Sequence, residues 1–84
     1  MDLAELQDVI DRTFGDRDRA RGTAATVAWL AEEVGELAQA VRKGSREAQV
    51  HEFGDVLAWL ASLANQCDIT LDEAMERYLT DPPT

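Results

Sequence analysis

Two short stretches hold the residues with chemistry in them. EEVGEL, residues 32 to 37, carries Glu32, Glu33 and Glu36, and HEFGDVL, residues 51 to 57, carries Glu52 and Asp55. Each contains the order acid, apolar residue, glycine, acid. Four carboxylates drawn together repel one another and shift their pKa values unless a cation neutralises them. Oxygen-only donors select hard ions, and the absence of a Cys or His pair argues against zinc, which leaves magnesium or manganese. Magnesium prefers a few carboxylates together with waters and substrate phosphates. Such an ion activates a water for in-line attack on phosphorus while a spare carboxylate takes the proton. The reaction class is phosphoryl or nucleotidyl hydrolysis.

That chemistry needs both stretches on helices that face each other. With Glu33 at zero on a wheel of about 100° per residue, Val27, Leu30, Val34, Leu37 and Val41 fall between roughly 40° and 120°, with Glu36 and Trp29 near 300° and 320°. With Glu52 at zero, Phe53, Val56, Leu60 and Leu63 fall between roughly 20° and 100°, with Asp55 and Trp59 near 300° and 340°. The carboxylates border the apolar stripe in both segments. If the stripes pack together in antiparallel fashion, the acids and both tryptophans converge on one edge of the interface.

Punctuation along the chain supports an all-α reading with four helices. Leu3, Leu6, Ile10 and Phe14 mark a first helix capped by Asp2 and ending near Gly15, after which GDRDRARG, residues 15 to 22, reads as a polar connection. A second helix runs from about Thr23 to Gly44, with Arg42 and Lys43 in its last turn. Ser45 opens a third, ending near Asp68. Thr70, three residues before Glu73, forms a capping-box pattern for a short fourth, which Pro82 and Pro83 terminate. No linker or long repeat interrupts residues 1 to 84, a single domain.

The 84 residues include 17 acids against 8 bases, a formal charge of -9, so the field of the chain repels nucleic acid and anionic membranes. A phosphorylated small molecule needs cations as intermediaries. At 45% hydrophobic and 30% charged residues the composition is that of a globular protein. A chain this short buries a modest share of its surface alone, so a second copy is expected. Cys67 is the single cysteine, which excludes an intrachain disulfide. MDLAELQDVI has no apolar run of signal-peptide length, and no stretch has the length of a membrane span, so the expected location is cytoplasmic.

Each feature also has a plain reading. An acid-x-x-acid pair on a helix is usually a solvated face; here the shared wheel position, the accompanying tryptophan and the interior glycine set the two stretches apart. Gly35 and Gly54 lie near 200° on their wheels, away from the acids, where close packing of a helix or subunit explains them. Trp29 and Trp59 read as core or interface, His51 as a surface residue off the acidic edge, Cys67 as a small core residue, and RDRAR as a solvated loop, with a grip on a terminal phosphate as its functional alternative.

LAEEVGELAQAVRKG followed by HEFGDVLAWLASLA resembles the MazG-type nucleotide pyrophosphohydrolases, whose signature is E-x-x-E, a gap, then E-x-x-D. Glu33, Glu36, Glu52 and Asp55 fill the four places, with fifteen residues between Glu36 and Glu52. The resemblance implies a MazG-like helical bundle completed by dimerisation, as a homodimer or dimer of dimers. It implies Mg2+, with Mn2+ as an alternative, held by Glu33, Glu36, Glu52 and Asp55. It also implies hydrolysis of nucleoside triphosphates between the α and β phosphates to monophosphate and pyrophosphate. Glu32 and Glu36 become candidates for catalytic proton transfer, Lys43 and Arg46 for phosphate binding and Trp59 for contact with a base. The chain departs from longer members in its tail, MERYLTDPPT, where Arg77 is the one basic residue. Two alternatives stay open: a phosphoribosyl-ATP pyrophosphatase-like enzyme, and a non-catalytic helical dimerisation module.

Overall fold

Asp2 starts the first helix by accepting from the Glu5 backbone N–H at 2.8 Å while Glu5 reaches back to the Asp2 amide, so donors that the helix cannot satisfy are satisfied locally. The computed structural model describes residues 1–84 as four helices and no strands: α1 (Leu3–Arg21), α2 (Thr23–Lys43), α3 (Arg46–Gln66) and α4 (Leu71–Thr80). Ser45 caps α3 through the Ala48 amide. At α4 the Thr70 amide and hydroxyl both donate to Glu73, which holds that exposed carboxyl below its ordinary pKa. No helix is long and apolar enough to cross a membrane.

The first boundary differs from the sequence expectation. α1 does not stop near Gly15; the segment read as a polar connection and solvated loop continues the helix to Arg21. Local charge pairing outweighs the cost of the glycine. Arg19 and Asp11 meet at 2.7 Å across Gly15, and Arg21 and Asp18 pair at 3.0 Å one turn apart, with Asp18 only 6% exposed. The chain turns instead at Gly22, whose φ of 90° lies in the region where side chains clash. α3 ends at Gln66, about where expected. Cys67, expected in the core, caps that helix end and is exposed.

α3 is the central element, packed against α2 on one side and α1 on the other. Its contact surface is built from small residues: Ala61 is fully buried and Ser62 and Ala64 nearly so. Gln7 ties the ends together. Its side-chain amide donates to Asn65 at 3.0 Å and to the Ile69 carbonyl at 2.9 Å, and its oxygen accepts from the Leu71 amide at 2.8 Å, joining α1, the end of α3 and the start of α4.

The seam between α2 and α3 is the second departure. Thr26, Leu30, Glu33, Leu37 and Ala40 line the shielded face of α2, whereas Val27, Val34 and Val41, expected in the core stripe, are 51%, 48% and 55% exposed. On α3, Val56 and Leu63 are half-buried, but Phe53 and Leu60 face outward beside Val50 and Leu57. The expected α2 stripe is therefore rotated by roughly 60°, with Leu30 and Leu37 kept in it, and acids fill part of the seam. Gly35 and Gly54 have open space where a side chain would project, so no helix of this chain packs closely on them.

The two glycines of α1 and its turn separate in their expected response. Gly22→Ala forces a side chain into the positive-φ conformation and costs about 1–3 kcal/mol. Gly15→Ala gains helix propensity and displaces only the ends of the exposed Asp11 and Arg19 side chains, so its net change stays within about 0.5 kcal/mol. Urea unfolding of the two variants measures both.

Candidate metal centre

Gly44 and Ser45 alone separate α2 from α3, so the acid stretch in the middle of α2 returns against the acid stretch in the first half of α3. A ligand oxygen from each of Glu33, Glu36 and Glu52 lies within 4.8 Å of the others, and a ligand atom from each of His51, Glu52 and Asp55 forms a second such group. Glu52 belongs to both. The four acids of the repeated pattern thus fall in two adjoining groups linked through Glu52.

Burial makes this more than a solvated face. Glu33 Oε2 and Glu52 Oε2 are shut off from solvent and have no hydrogen-bond partner in the chain. A shielded carboxylate oxygen without a donor is costly and calls for a cation or proton. The Glu33 carboxyl is accordingly pushed above its ordinary pKa, first by burial and then by the charges of Glu36, Asp55 and Glu52. The all-oxygen group of Glu33, Glu36 and Glu52, with its partnerless anionic atoms, fits a hard divalent ion.

The other sequence candidates fall at different distances from this centre. Lys43 lines an open cleft of about 380 Å3 together with Glu36, Gln39 and Glu52, so a cation stands beside the acids. Arg46 begins α3 and is exposed. Glu32 is exposed and belongs to neither acidic group. Trp59 stacks on Trp29 with ring centres 5.9 Å apart and planes 13° from parallel, which realises the expected convergence of the tryptophans. His51 is exposed as expected but does not lie off the acidic edge; its Nε2 is 3.2 Å from Asp55 Oδ2. The i,i+4 spacing of His51 and Asp55 was the signal for that contact.

Arg21, in the RDRAR stretch whose functional alternative is a grip on a terminal phosphate, stands against an aromatic ring instead. The Arg21 guanidinium lies 4.7 Å from the centre of the Trp59 ring while pairing with Asp18. Thr26, fully buried, links the same region: its hydroxyl donates to the Gly22 carbonyl at 2.8 Å and accepts from Gln66 at 2.9 Å. The i,i+3 spacing of Asp18 and Arg21 hinted at their pairing, but nothing local indicated the ring.

The model of the MazG nucleotide pyrophosphohydrolase domain matches residues 21–80, a span that holds the acidic groups and both tryptophans. The chain belongs to this family. It is also similar to the uncharacterized protein YpjD of Bacillus subtilis (strain 168), 35% identical over 88 residues that cover 92% of this chain and 79% of that protein. Family membership brings the nucleotide pyrophosphohydrolase class and the general use of divalent metals into agreement with the acidic groups found here.

The raised pKa of Glu33 has a definite sign for stability. Below the ordinary value of 4.5 the residue is protonated in folded and unfolded chains alike. As pH climbs through the higher folded value, the folded chain must carry a disfavoured charge and loses stability. Metal-free Glu33→Gln therefore melts above the parent at neutral pH, and the difference closes on acidification below the ordinary value. Melting curves in chelator across that range measure the effect.

Proposed function

We propose that this chain is a magnesium-dependent nucleoside triphosphate pyrophosphohydrolase that cleaves (d)NTPs between the α and β phosphates to (d)NMP and pyrophosphate. The observation that carries the reading is the pair of shielded, partnerless oxygens on Glu33 and Glu52. Glu33, Glu36, Glu52 and Asp55 hold the metal, with Mn2+ able to replace Mg2+. A divalent ion bound there supplies a water of lowered pKa and offsets phosphate charge. Glu36, the exposed member of the acidic group, and the adjacent Glu32 are the two candidates to accept the proton of that water. Lys43, on the cleft beside the acids, and Arg46 at the start of α3 meet the polyphosphate, whose charge a chain of net -9 otherwise repels. Trp59 meets the base.

The working unit in this proposal is a homodimer, or a dimer of dimers. Only 8 of 84 residues are buried, and the accessible surface of 6,041 Å2 exceeds the ~5,000 Å2 of a compact monomer of this mass. The radius of gyration, 13.9 Å, is likewise above the roughly 12 Å of a compact chain of this length. The excess of about 1,000 Å2 is close to what one partner contributes to a standard interface. It coincides with an outward apolar stripe, Val34 and Val41 on α2 with Phe53 and Leu57 on α3, beside the open glycines.

Incubation of a panel of nucleoside triphosphates and related pyrophosphates with magnesium tests the chemistry. Monophosphate plus pyrophosphate is the expected product pair; diphosphate plus orthophosphate contradicts it. Asp55→Asn lowers kcat/KM by at least the ~10–100-fold typical of residues that support a metal site. Undiminished turnover removes Asp55 from the mechanism, and a melting temperature unmoved by magnesium or nucleotide favours a non-catalytic module.

Sedimentation tests the assembly. The parent chain is expected to run at twice its mass or more, and Phe53→Lys to shift it towards monomer. A parent that stays monomeric at high concentration overturns the dimer.

A further inference from the structure

Between α1 and α3 lies a recess of about 180 Å3 that includes Phe14, Arg17, Asp18, Arg21, Trp59 and Ser62 in its lining. It is smaller than the roughly 300–1,000 Å3 that receives drug-sized ligands, so it suits one ring system rather than a whole nucleotide. Trp59 supplies an aromatic wall, and it follows Asp55 by one helical turn, so the recess and the carboxylates are neighbours along α3.

The polar groups of the recess have a definite hydrogen-bonding character. Asp18 is 6% exposed, and its pair with Arg21 at 3.0 Å engages Oδ1. A carboxylate is an acceptor through both oxygens, so the other one retains accepting capacity. Ser62 is 3% exposed; its Oγ accepts from Gln66 at 3.1 Å and its proton is free to be donated. Arg17 lies 5.6 Å from the Phe14 ring centre, a third donor in the lining. The set is a buried anionic acceptor flanked by donors, held in place by the Arg21 contacts with both Asp18 and Trp59.

We propose that this recess selects nucleobases carrying an exocyclic amino group, with Asp18 accepting from that amine. The proposal rests on the nucleotide reading given above and names the substrate class it admits. An exocyclic N–H matches a carboxylate acceptor, whereas a carbonyl in the same place directs its lone pairs at a negative charge. A site built around a buried hydrogen-bonding group rejects analogues that leave the group unpaired far more strongly than an apolar slot does. Ser62 and Arg17 donate to the ring nitrogen or carbonyl beside the amine, and Trp59, held by Trp29 and Arg21, forms the wall beside the ring.

Matched nucleosides test this without engaging the metal centre. Quenching of tryptophan fluorescence is titrated in chelator with cytidine against uridine and adenosine against inosine, pairs that exchange an amine for a carbonyl. The amino member of each pair is expected to bind at least about tenfold more tightly. Asp18→Asn narrows that ratio to near unity; because the substitution disturbs a buried ion pair, the parent-chain ratios stand as the primary measurement. Equal binding within the pairs, tighter binding of uridine and inosine, or no binding of any nucleoside overturns the proposal. Pyrophosphate release from triphosphates without a base preference overturns the recess alone. A preference without pyrophosphate release overturns the hydrolase reading alone.

Discussion

A glutamate side chain lodged in a helix seam is the constraint around which this protein is arranged. Glu33 occupies a position between Leu30 and Leu37 where an apolar residue would stabilise the α2–α3 contact, and its carboxylate faces Glu36, Glu52 and Asp55. Burial and like charge both oppose ionisation there, so the apo fold carries an electrostatic cost that a hard cation relieves. The tight turn at Gly44 and Ser45 keeps that cost from being avoided, because it returns α3 directly against the acids of α2.

With acids occupying part of the seam, the chain has less apolar material with which to close its own core. Small residues do the packing on α3, and large ones, Phe53, Leu57 and the α2 valines, remain outside. The acidic cluster and the unfinished core are thus two results of one helix rotation. Turning α2 and α3 to bury the valines would carry Glu33 and Glu52 away from each other. In the dimer proposed above, a second copy covers the outward stripe.

α1 contributes through its final turns. Its ion pairs extend the helix past Gly15, and Gly22 then directs α2 away, leaving Arg21 against Trp59 and Thr26 bound to Gln66. This ties the start of the acid-bearing helix to the far end of α3 by hydrogen bonds rather than by apolar burial. The aromatic pair sits beside that junction, so the ring environment and the carboxylate spacing are set by the same α1–α2 corner.

Much of the architecture was legible in local signals. Asp2, Ser45 and Thr70 mark helix starts because their side chains satisfy amides within three residues, an interaction complete inside a short window. The pairing of the two acid stretches was legible because helical periodicity and a short turn leave few ways to juxtapose them, and the order Glu33, Glu36, Glu52, Asp55 carried the family likeness. The continuation of α1 was not, since a glycine at the edge of a polar stretch breaks or spans a helix according to how distant charges pair across it. Cys67 was misplaced because a wheel gives angle around one helix but not the depth of its neighbours, whereas the contact of His51 with Asp55, one turn along the same helix, was legible in their spacing. Which face of α2 turns inward, which carboxylate oxygens lose their water, and that Arg21 lies over Trp59 depend on the packing of three helices at once. Periodicity ranks faces by hydrophobicity, whereas the tertiary contact weighs that ranking against turn geometry, small-residue packing on α3 and the charge brought into the seam.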